Sequence, residues 1–442
     1  MRKYKDLKKI EGAIPISKEN HAIARIEEKC IKCGLCSKIC QDKVGVRYDP
    51  EKAIDAVCIN CGQCLLNCPV GAIVPKYCYK RVLNYIKDTE KVVICFTSPA
   101  IRVSLGEEFG LEAGENVEKR MVTALKKIGF DYVFDTTFGA DLTIMEEANE
   151  LVERIKEKKN LPQFTSCCPS WVKFLEIYYP ELIKNLSTCK SPISMQGKVI
   201  KTYFSSMYSI PEEDMITVAI TPCTAKKEEI QREELDGTDY VITTTELAMM
   251  IREEEVSLKT LEEGEFDKIM ERGSASGVKF GFSGGVMEAA LRCAYHLIEK
   301  KVAEKDFLKY QEIEGYDGMK EAEVKIGENK LTVLVCSGMK NISEFIENGN
   351  YQKYDFIEVM NCPGGCVGGG GQPLKAIAKQ KEMVDLRKKG LEEEGELLGN
   401  SCCYENPDIS DIYHSYLQKP LGERAVELLH TKYHDKSGIL GE

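Results

Sequence analysis

Four short runs of apolar residues punctuate the chain: Val92-Val93-Ile94-Cys95-Phe96, Thr217-Val218-Ala219-Ile220, Leu331-Thr332-Val333-Leu334-Val335 and Phe356-Ile357-Glu358-Val359-Met360. Nearly continuous apolar runs of this length predict strands covered on both faces. Each leads into a loop bearing Pro, Gly, Ser or Cys. Helical spacing of apolar positions dominates residues 143–158, 172–185, 284–300 and 419–430. Strands alternating with helices predict an α/β (mixed α+β) body whose strand tips carry the special residues, which is where such sheets bind ligands. Before Lys80 the pattern fails. Residues 1–80 are Cys-dense and weakly periodic, as expected where metal clusters replace much of a hydrophobic core. Two units are therefore expected, 1–80 and 81–442. The run Gly368 to Gly371 reads as a flexible segment that lets backbone approach a bulky cofactor.

The chain has 442 residues, 43% hydrophobic and 30% charged, ordinary for a soluble globular protein with two or three domains. No stretch reaches the roughly 18 apolar residues of a membrane span, and Met1-Arg2-Lys3-Tyr4-Lys5 leads into more charge rather than a signal-peptide core. Without export, the 20 cysteines read as metal ligands and reduced thiols, and the cytoplasm is the expected compartment. A net charge of −11 argues against nucleic-acid binding. Residues 1–40 nevertheless carry ten Lys/Arg against five Asp/Glu. This is either a solvated basic face or a docking patch for an acidic electron carrier.

Eight cysteines form two runs of Cys-x2-Cys-x2-Cys-x3-Cys: Cys30, Cys33, Cys36, Cys40, then Cys58, Cys61, Cys64, Cys68 followed by Pro69. Three closely spaced thiolates reach three corners of a cubane, while the fourth is aimed at the partner cluster, a pattern that resembles bacterial ferredoxins. One [4Fe-4S] cluster would use Cys30, Cys33, Cys36 and Cys68, the other Cys58, Cys61, Cys64 and Cys40. Zinc does not call for this crossed spacing. Further cysteines sit in separate loops: Thr165-Ser166-Cys167-Cys168-Pro169, Pro222-Cys223-Thr224-Ala225-Lys226-Lys227 and Met360-Asn361-Cys362-Pro363-Gly364-Gly365-Cys366. Thiolates brought together from remote loops suit a soft-metal site inside the body.

These three motifs resemble those of the [FeFe]-hydrogenases, and the resemblance covers essentially the whole chain, with support from Phe134-Asp135-Thr136-Thr137-Phe138-Gly139-Ala140-Asp141, Gly284-Gly285-Val286-Met287-Glu288-Ala289-Ala290-Leu291-Arg292 and Gly422-Glu423-Arg424-Ala425. The resemblance implies an active cluster (the H-cluster): a third [4Fe-4S] cubane on Cys168, Cys223, Cys362 and Cys366, joined through the Cys366 sulfur to a two-iron unit with CO, cyanide and a bridging azadithiolate. Cys167 is implied to exchange protons with the amine of that bridge. Glu147, Glu150 and Arg154, spaced i, i+3, i+7, share one helix face. By itself that spacing reads as a solvated face with a Glu150–Arg154 ion pair. With Ser187, the resemblance makes it a proton relay in the order Cys167, water, Glu147, Ser187, Glu150, then solvent near Arg154. Lys226 fits the lysine that donates to a cyanide nitrogen. Pro99, Pro192, Phe280 and Met360 match wall residues of the two-iron unit. Ser98, Ile193 and Thr221 depart from the commonest wall pattern of alanine, glutamine and methionine, and suggest a bias toward H2 oxidation.

The implied activity is reversible H2 oxidation and proton reduction by an oxygen-sensitive, anaerobic enzyme. Ferredoxin is the expected electron partner, and dedicated maturation proteins are needed for the two-iron unit. A hydrogenase-like iron–sulfur assembly protein and a subunit of a bifurcating or sensory hydrogenase are the alternatives. Cys78, Cys95, Cys189, Cys293 and Cys336 read as buried small hydrophobes, and Cys402-Cys403 as an incidental pair.

Overall fold

The computed structural model describes residues 10–88, 90–374, 377–399 and 401–441. Five of the ten basic residues counted in 1–40 (Arg2, Lys3, Lys5, Lys8 and Lys9) and Asn400 lie outside these residues.

Two sheets form the body. The first is wholly parallel, with β3 (Val92–Thr97) and β6 (Met215–Thr221) at its centre and β4 (Tyr132–Asp135) and β7 (Tyr240–Thr243) at its edges, in the order β4-β3-β6-β7. Period-two alternation divides its side chains between two cores. Val93 and Cys95 pack with Val218 and Ile220 on one face. Ile94 and Phe96 pack with Phe134 and Ala219 on the other. Burial on both faces explains why β3 and β6 are nearly continuous apolar runs.

The second sheet is mixed, in the order β5-β11-β10-β9-β8. Here β5 (Gln163–Phe164), β11 (Phe356–Met360) and β10 (Asn329–Ser337) run parallel, while β9 (Met319–Ile326) and β8 (Gln311–Glu312) are antiparallel additions. The helix Thr136–Glu157 lies between the sheets. Its Phe138 and Leu142 join the core of the first sheet, and Ala140, Ile144, Ala148 and Leu151 join that of the second. Asp135 caps it, accepting from Thr137 N at 3.0 Å.

Several expected elements have different limits. The helical stretch at 172–185 is two pieces, an α-helix at Pro169–Tyr178 and a 3-10 turn at Pro180–Asn185, because Pro180 supplies no N–H to continue the ladder. The helix at 143–158 begins earlier, at Thr136, and that at 419–430 narrows to Glu423–Leu429.

Near the N-terminus, β1 (Ile23–Arg25) and β2 (Ile73–Pro75) form a small antiparallel pair. The doubled cysteine run is doubled in backbone as well. Lys32 and Asn60 stand at φ 53° and 61°, and Gly34 and Gly62 at φ 74° and 71°, each pair at matching places in its run. The segment has one small cluster of its own, around Ala22, Ile23, Leu65 and Ile73, and draws the rest of its core from the body. Ile10, Ile14, Val44, Val46, Tyr48 and Ile59 share one hydrophobic cluster with Phe164, Trp171 and Leu334 of the body.

Gly368 to Gly371 are all buried and closely packed rather than flexible. A Cβ on Gly370 would lie 2.4 Å from the Cys61 carbonyl oxygen and 2.7 Å from Gly62 Cα, and one on Gly369 would lie 2.3 Å from the Pro222 carbonyl oxygen. The glycines let the second cysteine run seat against the body. Thr224 Oγ1 donating to Asn60 O at 2.7 Å and Gln63 Nε2 donating to Gly368 O at 3.0 Å hold the same contact. Gly370→Ala should therefore lower stability by about 1–3 kcal/mol, read as a fall in melting temperature, because backbone rather than a yielding side chain blocks the new methyl.

Candidate active site

The C-terminal ends of parallel strands from both sheets point to one place. β3 ends at Ser98 and Pro99, β6 at Thr221 and Cys223, β5 at Cys167 and Cys168, and β11 at Met360, Cys362 and Cys366. Burial pushes the Cys362 thiol up, and Cys223, Cys61, Cys168 and Cys366 around it push it further. Burial likewise raises Cys223, reinforced by Cys168, and Cys366, reinforced by Cys223 and Cys168. These four sulfurs thus converge from three loops, and every cysteine is a free thiol. Half-buried thiols in mutual repulsion when ionised are a donor set that fits a cationic, soft-metal cluster. Among the described residues no three His, Cys, Asp or Glu side chains gather as a single metal ion would need.

The N-terminal runs gather in the crossed sense. Cys30, Cys33, Cys36 and Cys68 line one cavity. Burial raises the Cys40 thiol, and Cys61, Cys64 and Cys58 raise it further. Cys61 is also close enough to Cys223 for that thiol to raise it. The second group therefore abuts the four thiols of the body.

Cys167 is half-buried and packs against the core cluster to which Phe280 and Met360 belong. Burial pushes its thiol up, and the neighbouring Glu147 carboxyl pushes it further, while Lys226 opposes. Lys226 Nζ donates to Cys167 O at 3.0 Å and pairs with Glu229 at 2.5 Å. Burial works against its charge, but Glu229 outweighs that and holds the ammonium protonated.

Glu147 is 1% exposed, and neither carboxyl oxygen has a hydrogen-bond partner. Burial, with Glu150 next, raises its carboxyl to about 8. Ser187 lies close by, but its hydroxyl is spent on Glu150 Oε2 at 2.7 Å. Glu150 is fully partnered, accepting also from Arg154 Nη2 at 2.7 Å and from Thr188 N and Oγ1 at 3.1 Å. Arg154 is only 9% exposed, where a surface position was expected, because its guanidinium donates to the carbonyls of Asn160, Asn185 and Leu186.

The wall residues divide. Pro99, Ile193, Phe280 and Met360 are buried, and Pro192 opens a helix with its ring half-buried. The Thr221 hydroxyl is engaged by the backbone of Cys223, accepting from its N and donating to its O at 3.2 Å each. The donor expected at that wall position is spent, whereas the Ser98 side chain makes no capping bond to the helix that follows it.

Sequence reading overlooked several groups. Cys189 is no plain hydrophobe: its Sγ lies 3.9 Å from Glu150 Oε2. Cys78 receives a hydrogen bond from Lys227 Nζ at 3.3 Å. Glu358, fully buried on β11, accepts from Gly284 N and Met287 N at 2.6 and 2.8 Å, so it anchors the start of the helix Gly285–Glu299. A polar residue inside an apolar strand was the available signal. Cys403 Sγ lies 3.5 Å from Cys293 Sγ, a buried thiol contact.

Residues 91–370 match the family model of the iron-only hydrogenase large subunit, C-terminal domain, and residues 381–436 match that of the iron hydrogenase small subunit. Iron hydrogenase 1 of Clostridium pasteurianum is 42% identical over 430 residues, covering 92% of this chain and 74% of that protein. The NADP-reducing hydrogenase subunit HndD of Solidesulfovibrio fructosivorans is 39% identical over 441 residues, covering 93% and 74%. A variant of the apo [FeFe]-hydrogenase HydA1 from Chlamydomonas reinhardtii superposes with a TM-score of 0.72 at 37% identity, covering 80% of this chain and 98% of that one. By contrast, the mouse cytosolic iron–sulfur assembly component 3 is 29% identical across 85% of this chain. With its thiols converging at the tips of two sheets and both family models matched in order along one polypeptide, this chain belongs to the iron-only, or [FeFe]-, hydrogenase family.

Proposed function

We propose that this hydrogenase interconverts H2 with protons and electrons at an active cluster held by Cys168, Cys223, Cys362 and Cys366, with Cys366 supplying the sulfur shared with the two-iron unit. That group, when bound, supplies the redox and H2-binding chemistry. The chain's own residues hold it, exclude water and move the proton. Lys226 holds a permanent positive charge beside the site, suited to a cyanide ligand. Pro99, Pro192, Phe280 and Met360 keep the surroundings dry. Two accessory cubanes, on Cys30, Cys33, Cys36 and Cys68 and on Cys58, Cys61, Cys64 and Cys40, would carry electrons inward. The nearness of Cys61 to Cys223 and Cys362 supports this order.

The observation that carries the reading is Glu147. A buried carboxyl that no donor satisfies costs stability, and it lies between Cys167 on one side and Ser187 with Glu150 on the other. Raised to about 8, it can take up and release a proton near neutral pH. Pairing Cys167 with this carboxyl favours hydrogen chemistry over a role in iron–sulfur assembly. A ferredoxin or similar carrier is the proposed electron partner, and a cytoplasmic, anaerobic setting the proposed context. With the Thr221 hydroxyl spent, the lean toward H2 oxidation rests on Ser98 and Ile193.

Protein made without dedicated maturation proteins should contain about twelve iron atoms in three cubanes and no activity, then gain two irons, CO and cyanide infrared bands, and turnover on maturation. Full activity before maturation would overturn the assignment. Cys167→Ala and Glu147→Gln should each lower H2 evolution by roughly two orders of magnitude with iron content unchanged, as measured with reduced methyl viologen.

Glu147→Gln should also report on stability. An acid whose folded-state pKa is raised binds its proton more tightly folded than unfolded, so its cost appears as pH rises from the ordinary carboxyl range through about 8. The variant should match the native protein at pH 4 and exceed it above pH 8 by on the order of a few kcal/mol, measured by denaturant unfolding.

Lys29, Lys32 and Lys38 are exposed around the exposed Cys33. Ferredoxin-linked turnover should therefore fall with ionic strength while viologen-linked turnover stays level. Parallel salt profiles would remove this docking face.

A further inference from the structure

A second hydrogen-bonded chain leaves Glu150 in a direction the relay does not use. Thr188 Oγ1 donates to Glu150 Oε1 at 3.1 Å and lies 2.7 Å from Nδ1 of His430. On the far side of the ring, Nε2 lies 3.0 Å from Glu146 Oε2. Glu146 is fully buried and also accepts from the Tyr413 hydroxyl and from Leu421 N at 2.9 Å. His430 itself is 9% exposed, at the end of the helix Glu423–Leu429, and pairs with Cys189 through an isolated bridge. The line therefore runs Glu150, Thr188, His430, Glu146, Tyr413, with both imidazole nitrogens engaged.

The donor rules allow this line two states. Glu146, already serving as acceptor for two other donors, takes the Nε2 proton. If Nδ1 is also protonated, it donates to Thr188 Oγ1, and the hydroxyl proton must then point at Glu150. If Nδ1 is bare, it becomes a second acceptor for the hydroxyl proton, and Glu150 loses that donor whenever the hydroxyl turns to the ring. One proton on the ring thus decides how many hydrogen bonds hold the Glu150 carboxylate. A donor to a carboxylate favours its charged form, so the two protonation events are linked, and linkage is reciprocal.

We propose that His430 is a positioning residue of the proton pathway, which through the Thr188 hydroxyl sets the readiness of Glu150 to accept a proton. The inference rests on the reading of Glu150 as a relay group. The titratable and charged groups facing the ring and its partners are Glu146 and Tyr413 on one side, Cys189 beside the backbone, and Glu150 with Arg154 and Glu147 beyond Thr188.

Infrared titration tests this in protein carrying its clusters, following the protonated-carboxyl band that disappears in Glu150→Gln. Thr188→Val should raise the midpoint of that band above the native value by about half to one pH unit for the lost donor. His430→Phe should not show that rise, because the hydroxyl then has only Glu150 to serve. Thr188→Ser, which keeps the hydroxyl, should restore the native curve. The pH profile of H2 evolution should change in the same pattern. A native titration curve in Thr188→Val, which leaves the ring and its ion pair in place, overturns the proposal even if His430→Phe folds poorly. Near-native turnover in Glu150→Gln would instead overturn the relay reading, and this inference with it.

Discussion

The helix Thr136–Glu157 buries five ionisable side chains between two sheets, and the surrounding structure is arranged to meet them. Asp141 is met by Ser274 and Asn406, Glu146 by His430, Tyr413 and Leu421, and Glu150 by Arg154, Ser187 and Thr188. Arg154 is met by three carbonyls besides. A charge removed from water costs several kcal/mol unless paired, so each match fixes a neighbouring segment in place. The residues after Leu421 follow this helix for that reason: Glu146 holds both Leu421 N and His430. Glu147 alone is left without a partner, and that exception is what marks it.

A comparable hub lies behind the site. Arg102 is fully buried and donates to Asp135 at 2.7 Å, to Glu394 at 2.8 Å, and to Glu118. It ties the end of β4 to the helices Glu118–Ile128 and Gln380–Leu397. Burial, with Arg102 opposing, leaves the Glu118 carboxyl raised to about 7. Ion pairs thus brace the tip of β4, and the packed glycines at 368–371 brace the loop after Cys366 against the second cysteine run. Neither brace is the cluster itself.

Much of this could be read from residues alone. Strands β3, β6, β10 and β11 announced themselves because burial on both faces leaves no room for polar alternation. The spacing of Cys30 to Cys68 carried its crossed pairing in the chain itself, and the backbone repeats with it at Lys32 and Asn60, Gly34 and Gly62. The family, and so the fold and the H2 chemistry, followed from three short loop motifs. Strand β9 escaped notice because its half-exposed alternation, Met319 to Ile326, carries charges outward, and β4 and β7 because four residues are too few to show a period.

What the sequence could not decide was which polar groups meet. Spacing put Glu147, Glu150 and Arg154 on one face, but only the packing of residues 185–189 against it made that face interior, and Glu147 was left unpartnered. Nothing local links Thr188 to His430, which are separated by 242 positions, and nothing local distinguishes the glycines at 368–371 as contact points rather than a loose loop. The sequence by itself determined which atoms could bind metal or carry a proton, because those are properties of residue type and near spacing. Tertiary structure alone decided which of them are dry, satisfied or left wanting, because desolvation and hydrogen bonding depend on neighbours that arrive from the rest of the chain.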